Sequence, residues 1–349
     1  MSIRSLSVLA GLLFVSAPVV FGEAHCPGSS SSLPLRLVEG TLFVLPVEVN
    51  GTGPYDFLLD TGAQVNSIDE VLAAQLHLPS GPTVGITGAG TYSRTSVVEP
   101  DLKAGSEMVS HSTTVLVGSI QLRAIDSRIR GILGGSFLEH FDFLIDNRNQ
   151  IFCLDQSGSL ANAVKGKRIV LAEPRPGSGH FSPFTKPIVI SAYVSKVSDP
   201  LLLVLDSGTN VPFLFAHRGS VQFADHQSRQ ILRRTSGGVV QDFSVTQPQD
   251  IHLEHTILHG LSFVEPLNWI GGTGAQLQVD GALPTFAFRR IFISISKGYA
   301  ILDSPNGWSS NLLSSSHASP DHSADPSQMV GQHQPSPLDQ LSPNSRGRR

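Results

Sequence analysis

The chain has 349 residues, with 24 Lys and Arg against 28 Asp and Glu, a formal net charge of −4, 40% apolar residues and only 15% charged ones. That length accommodates two domains, and with no basic stripe there is no footprint for a nucleic-acid partner; Arg346, Arg348 and Arg349 only close a polar tail. The 33 Gly and 23 Pro, set against so few charges, point to many short strands and turns rather than long surface helices.

The N-terminus reads as a secretory signal over residues 1–22: Arg4 supplies the positive start, Leu6 to Phe21 is apolar, and small residues near Gly22 suit a signal peptidase. Export, to the periplasm or the medium, is the expectation, with a mature chain starting in the twenties; the alternative is an uncleaved membrane anchor. His25 before Cys26 argues against a lipoprotein signal, and no later run approaches the ~18–20 apolar residues of a membrane helix. Cys26 and Cys153 are too few for a disulfide framework and form one bridge or none, and zinc-site spacings are absent. Residues 27–33, rich in Ser, Pro and Gly, read as a short linker, and no long propeptide is expected before Leu33.

Beyond that linker the chain repeats itself. A strand-like Leu42 to Val49 passes through the turn Asn50-Gly51-Thr52-Gly53 into Tyr55 to Leu59 and Asp60-Thr61-Gly62-Ala63. Later, Ile188 to Val197 passes through Ser198-Asp199-Pro200 into Leu201 to Leu205 and Asp206-Ser207-Gly208-Thr209, an offset of 206 − 60 = 146. A second pair follows: Arg130-Gly131-Ile132-Leu133 with Phe141 to Ile145, and Asp280-Gly281-Ala282-Leu283 with Ile291 to Ile295, at an offset of 281 − 131 = 150. Copies this long are not solenoid repeats. They read as two homologous all-β, barrel-like lobes related by a pseudo-twofold, 34–157 and 165–304, joined near Gln156 to Arg168. Minor helix is expected at Ser67 to Gln75 and Ser136 to His140. The tail, 305–349, lacks periodic apolar residues and reads as disordered.

The two Asp loops carry the chemistry. Hydrolysis of a peptide bond needs a base for the attacking water and an acid for the carbonyl oxygen, and two carboxyls sharing one proton supply both. In contact they cannot both ionise, so their titrations split and belong to the pair. The apolar runs Phe57-Leu58-Leu59 and Leu203-Val204-Leu205 would deliver each carboxyl to a partly dry place; Thr61 and Ser207 carry hydroxyls to hold the junction, and Gly62 and Gly208 allow close approach of the opposite loop.

On these residues the chain resembles an aspartic protease. Asp60-Thr61-Gly62-Ala63, Gly131-Ile132-Leu133-Gly134, Phe137-Leu138 and Ile145-Asp146 are similar to retropepsin-like bacterial aspartyl proteases; two lobes in one chain, with Asp206-Ser207-Gly208-Thr209 in the second, are similar to the pepsin type. The resemblance covers residues 34–304 and implies a catalytic pair, Asp60 and Asp206, on a pseudo-twofold axis, acting as an endopeptidase on a polypeptide substrate without metal or other cofactor. It also implies flaps, for which Gly88, Gly90 and Tyr92 stand 28 to 32 residues after Asp60, and Gly237 and Gly238 31 to 32 after Asp206. Both halves of the site lie in one chain, so a monomer suffices. One departure stands out: the family's apolar-apolar-Gly segment behind each loop reads Ile132-Leu133-Gly134 in the first lobe but Ala282-Leu283-Pro284 in the second. Pro has no N–H and no access to positive φ, so distortion is expected there. The rival readings are a non-catalytic secreted peptide-binding or structural protein that keeps the fold, and a metallohydrolase built on His252, His255 and His259. The helical His-Glu-x-x-His spacing of the latter is missing, and Asp250 to Leu258 alternates as a strand does.

Overall fold

The computed structural model describes residues 26–27, 31–88, 91–109, 114–118, 122–156, 158–175, 185–194, 199–215, 230–236, 239–267, 279–303 and 305. The expected signal segment 1–22, nearly all of the tail 305–349, and Gly90, Gly237 and Gly238 lie outside them. Among the described residues no helix is long and apolar enough to cross a membrane.

The strands of the described residues form three sheets. A ten-stranded sheet runs in the order Thr83–Gly88, Thr91–Val98, Val115–Val117, Asn66–Ile68, Ile129–Leu133, Thr52–Leu59, Leu42–Val49, Leu102–Ala104, Glu107–Val109, with Arg36–Val38 also paired to Leu42–Val49. A nine-stranded sheet repeats that order strand for strand: Gln230–Ser236, Val239–Val245, Val264–Pro266, Phe213–Leu214, Gly281–Pro284, Leu201–Asp206, Val189–Val194, Gln249–Leu253, Thr256–Leu261. The all-β, two-lobe architecture expected from the internal repeat is the observed one.

The third sheet joins the halves. Its six strands are Ser31–Pro34, Ile151–Asp155, Asp142–Asp146, Arg290–Ser294, Tyr299–Leu302 and Lys167–Val170. The two central strands pair antiparallel with Phe143 opposite Ile293, its own repeat equivalent, so the pseudo-twofold passes between them. Their inward residues alternate into one apolar cluster that includes Leu59, Leu133, Phe143, Leu205, Leu283 and Ile293 and spans both lobes. Burying a side chain of this kind is worth about 1.5–3 kcal/mol. The repeated Gly131 and Gly281 mark close approaches: a Cβ on Gly131 would lie 2.4 Å from Phe57 Cε1, and one on Gly281 2.0 Å from the Phe213 carbonyl oxygen.

Four local expectations change. The helix begins at Glu70, not Ser67, and spans Glu70–Gln75, because Asp69 accepts the Leu72 N–H as its cap while Asn66–Ile68 pairs with strands on both sides. The second helix is Gly135–Leu138, and a further one spans Leu122–Ile125. Ser31–Pro34, which takes in the end of the expected linker 27–33, forms a strand against Ile151–Asp155. The Asp250 to Leu258 strand is instead a hairpin that turns at Glu254 and His255.

Cys26 and Cys153 are bridged, with Cα atoms 5.7 Å apart, tying the chain just before the first strand to the six-stranded sheet. The bridge closes 127 residues, for which unfolded-chain entropy gives about 4–5 kcal/mol of stabilisation. Cys153→Ser is therefore expected to lower the urea midpoint markedly and to steepen the slope, because the unfolded chain expands once the closure is lost; a midpoint equal to that of the wild type would mean the bridge does not form.

Candidate active site

Each Asp is delivered by a strand that turns apolar towards its end. Phe57, Leu58 and Leu59 are buried before Asp60, and Leu201 to Leu205 are buried before Asp206. A parallel neighbour backs each strand: Leu133 stands opposite Leu59 and Leu283 opposite Leu205. Asp60 adds a backbone bond, its N–H donating to the Leu133 carbonyl at 3.0 Å. Full pairing on both flanks leaves these strand ends little freedom.

The loops then lock each other. Thr61 Oγ1 donates to the Leu205 carbonyl at 2.7 Å and accepts from the Ser207 N–H at 3.0 Å. Ser207 Oγ donates to the Leu59 carbonyl at 2.8 Å and accepts from the Thr61 N–H at 3.0 Å. Both side chains are buried. Every hydroxyl thus serves as donor and acceptor across the axis, and a loss on either side leaves two buried backbone groups unpaired, at about 1–3 kcal/mol each.

Gly62 and Gly208 face the opposite carboxyls. A Cβ on Gly62 would sit 2.5 Å from Asp206 Cγ, and one on Gly208 2.4 Å from Asp60 Cγ. No other residue type fits there. Asp60 Oδ1 accepts from the Gly62 and Ala63 N–H groups, both at 2.9 Å, and Asp206 Oδ1 accepts from the Gly208 N–H at 2.7 Å. The two carboxyls are also hydrogen-bonded to each other.

Burial raises the pKa of Asp60, opposed by the bonds from Ala63, Asp206 and Gly62. Asp206 is held well above the ordinary carboxylate range, by burial first and then by the charge of Asp60. The pair therefore keeps one proton where free carboxyls have lost theirs. One group is poised as a base and its neighbour as an acid.

The distortion expected at Pro284 does not occur. Asp206 pairs with Pro284 in unbroken parallel register. Gly134, its counterpart, is itself extended at φ −120°, so positive φ was never the requirement. Gly134 leaves room for the backbone, since a Cβ there would lie 2.8 Å from the Ala63 carbonyl oxygen, and its N–H donates to Asn66 Oδ1 at 2.8 Å; the Asn66 N–H donates in turn to Ser136 Oγ at 3.0 Å, which donates to the Thr114 carbonyl at 3.0 Å. In the second lobe the equivalents of Asn66, Gly134 and Ser136 are Pro212, Pro284 and Phe286. The lost donor and the lost acceptor belong to one and the same hydrogen bond, so the exchange leaves neither of its two ends unpaired.

The expected flap segments are hairpins. Thr83–Gly88 pairs with Thr91–Val98, placing Gly88 opposite Thr91 and Tyr92 opposite Thr87; Gln230–Ser236 pairs with Val239–Val245. His252 and His259 stand on the two strands of the 249–261 hairpin and His255 in its turn, and His259 Nδ1 lies 3.1 Å from Asp250 Oδ2 at an exposed site far in sequence from either loop. Sequence reading passed over Asn66, Ser136, Asn147 and Thr185, all of which touch the loops' supports. A column-by-column comparison of the two halves signals Asn66, since prolines replace both it and Gly134, the two ends of one contact.

Residues 45–137 match a family model described as aspartyl protease. That segment holds Asp60, its neighbours and the first hairpin, and ends within the helix Gly135–Leu138. No curated protein matches the chain.

A carboxyl whose folded pKa is raised binds more protons folded than unfolded, so stability falls as pH climbs from the ordinary carboxylate value through the raised one. Asp206→Asn removes this loss while its amide keeps the hydrogen bond to Asp60. D206N is expected to unfold at higher urea than the wild type at neutral pH, an advantage that vanishes in strong acid. Equal midpoints across that range would count against a shared proton.

Proposed function

We propose that the protein is an aspartic endopeptidase that hydrolyses peptide bonds in polypeptides with a water activated between Asp60 and Asp206. The observation that carries the reading is a pair of half-buried carboxyls, each set against the opposite loop's glycine and each with its pKa raised by burial. The aspartyl protease match over residues 45–137 supports the class of activity.

In the proposed cycle a water sits between the carboxyls. The ionised one takes a proton from it as its oxygen attacks the scissile carbonyl carbon, and the neutral one donates a proton to the carbonyl oxygen, giving a neutral gem-diol. In collapse, one diol hydroxyl returns its proton, the leaving nitrogen takes a proton from the pair, and the C–N bond breaks. The pair ends with one proton, as it began. The hairpins Thr83–Val98 and Gln230–Val245 are read as flaps over the substrate.

The competing reading, a non-catalytic secreted peptide-binding or structural protein that keeps the fold, rests on Pro284; the retained register behind Asp206 supports the catalytic reading over it. Export is proposed from the apolar run Leu6 to Phe21, and the Cys26–Cys153 bridge suits an oxidising compartment.

The test is cleavage of unfolded casein across acid and neutral pH. Asp60→Asn and Asp206→Asn are each expected to lower the rate by about 10²- to 10⁴-fold. Wild-type activity should decline as pH rises through the pair's raised upper value, where the last shared proton leaves. Equal cleavage by all three proteins would remove the pair from the mechanism.

A further inference from the structure

The two Asp loops are not supported alike. Behind Asp60 the first lobe uses its own buried chain of Gly134, Asn66 and Ser136. Behind Asp206 that chain is gone, replaced by Pro212, Pro284 and Phe286. We propose that Asn147, a residue of the first lobe, supplies the missing support and is a positioning residue for Asp206. The inference rests on the reading of Asp60 and Asp206 as a catalytic pair.

Asn147 directly follows the strand Asp142–Asp146, whose pairing with Arg290–Ser294 carries it to the second lobe. Its backbone N–H donates to the Arg289 carbonyl at 3.0 Å. Its side-chain Nδ2 donates to the carbonyls of Thr285 at 3.0 Å and Phe288 at 2.6 Å. Those carbonyls bracket the 3-10 turn Thr285–Ala287, which is capped by Pro284, the residue paired with Asp206. The ring of Pro284 fixes φ at −59°, so turn and strand end move as one body. A shift of the turn is therefore a shift of the support under Asp206.

Asparagine suits the task. One planar amide on a short stem offers two donors without charge, and at 7% exposure Asn147 is too deep for an unpaired ion. Its repeat equivalent, Lys297 (297 − 147 = 150), also crosses between lobes, but reaches Asp142 Oδ2 at 3.1 Å from a half-exposed position and touches no support of Asp60. The first loop's only cross-lobe brace of this kind among the described residues is lighter: Thr185 Oγ1 donates once to the Gln64 carbonyl at 2.8 Å. Asp206 thus depends on the other lobe for what Asp60 obtains from its own.

The experiment follows the dyad by ¹³C NMR of aspartate carboxyls in the full chain, alongside kcat and KM on a peptide cut from unfolded casein. In Asn147→Ala the upper apparent pKa of the pair is expected to move by about one unit, and kcat to fall about tenfold with KM within about twofold. Asn149→Ala, in the same hairpin and bonded only to Asp146, serves as the control and should match the wild type in both. Should N147A not fold, Asn147→Asp keeps the size. Its carboxyl can donate to one carbonyl while neutral, so turnover should fall away as it ionises; the ionisable residues beside it in the strand pairing are Asp146, Arg289 and Arg290, the last bridged to Asp303. A folded variant with wild-type titration and kcat overturns the brace. Failure of the wild type to cleave, with a split titration intact, would instead overturn the endopeptidase reading, and the titration arm would still decide the role of Asn147.

Discussion

Two carboxyls held in contact repel as soon as both are charged, and every other feature of the site is arranged around that constraint. Four hydrogen bonds through two buried hydroxyls, Thr61 and Ser207, clamp the loops against the repulsion. Glycine is required at 62 and 208 because the opposite carboxyl occupies the space of a side chain. The flanking strands end fully paired, so the loops cannot relax apart without breaking a sheet. Burial, and then the closeness that this rigidity enforces, raises the pair's affinity for a proton.

The clamp is symmetric, but the scaffolding beneath it is not. The sheets repeat strand for strand and the central strands meet at Phe143 and Ile293, yet the first loop rests on a buried polar chain and the second on apolar and proline contacts. Symmetry is retained where the carboxyls must meet. It is relaxed one layer back, where a hydrogen bond can be exchanged for its matched absence.

Much of this was legible in the residues. The internal repeat exposed the two lobes because equivalent strands need equivalent apolar patterns, and the Asp loops stood at matching points. The parts that were not legible depend on contacts between distant segments. Ser67 and Ile68 read as helix because they adjoin the helix-favouring run Glu70–Gln75; strand partners at Val115–Val117 and Ile129–Leu133 decide otherwise. Pro284 read as a defect because only the backbone shows that Gly134 is extended, and only the folded contact shows Asn66 at the other end of its N–H. Asn147 looks in sequence like one more polar turn residue; its importance comes from a strand pairing across the lobes.

The matched prolines also imply an order of events. If the second half once carried the Asn and Gly of the first, the exchange passed through a chain with only one proline. Proline at 212 first would have left the N–H at 284 buried without an acceptor, and orphaned N–H groups are rare in native proteins. Proline at 284 first would have left only a side-chain oxygen unmatched, the milder fault. The accessible route runs through 284 before 212, and the present pair is then mutually entrenched: reverting either proline alone recreates a half-bond that neither neighbour can complete.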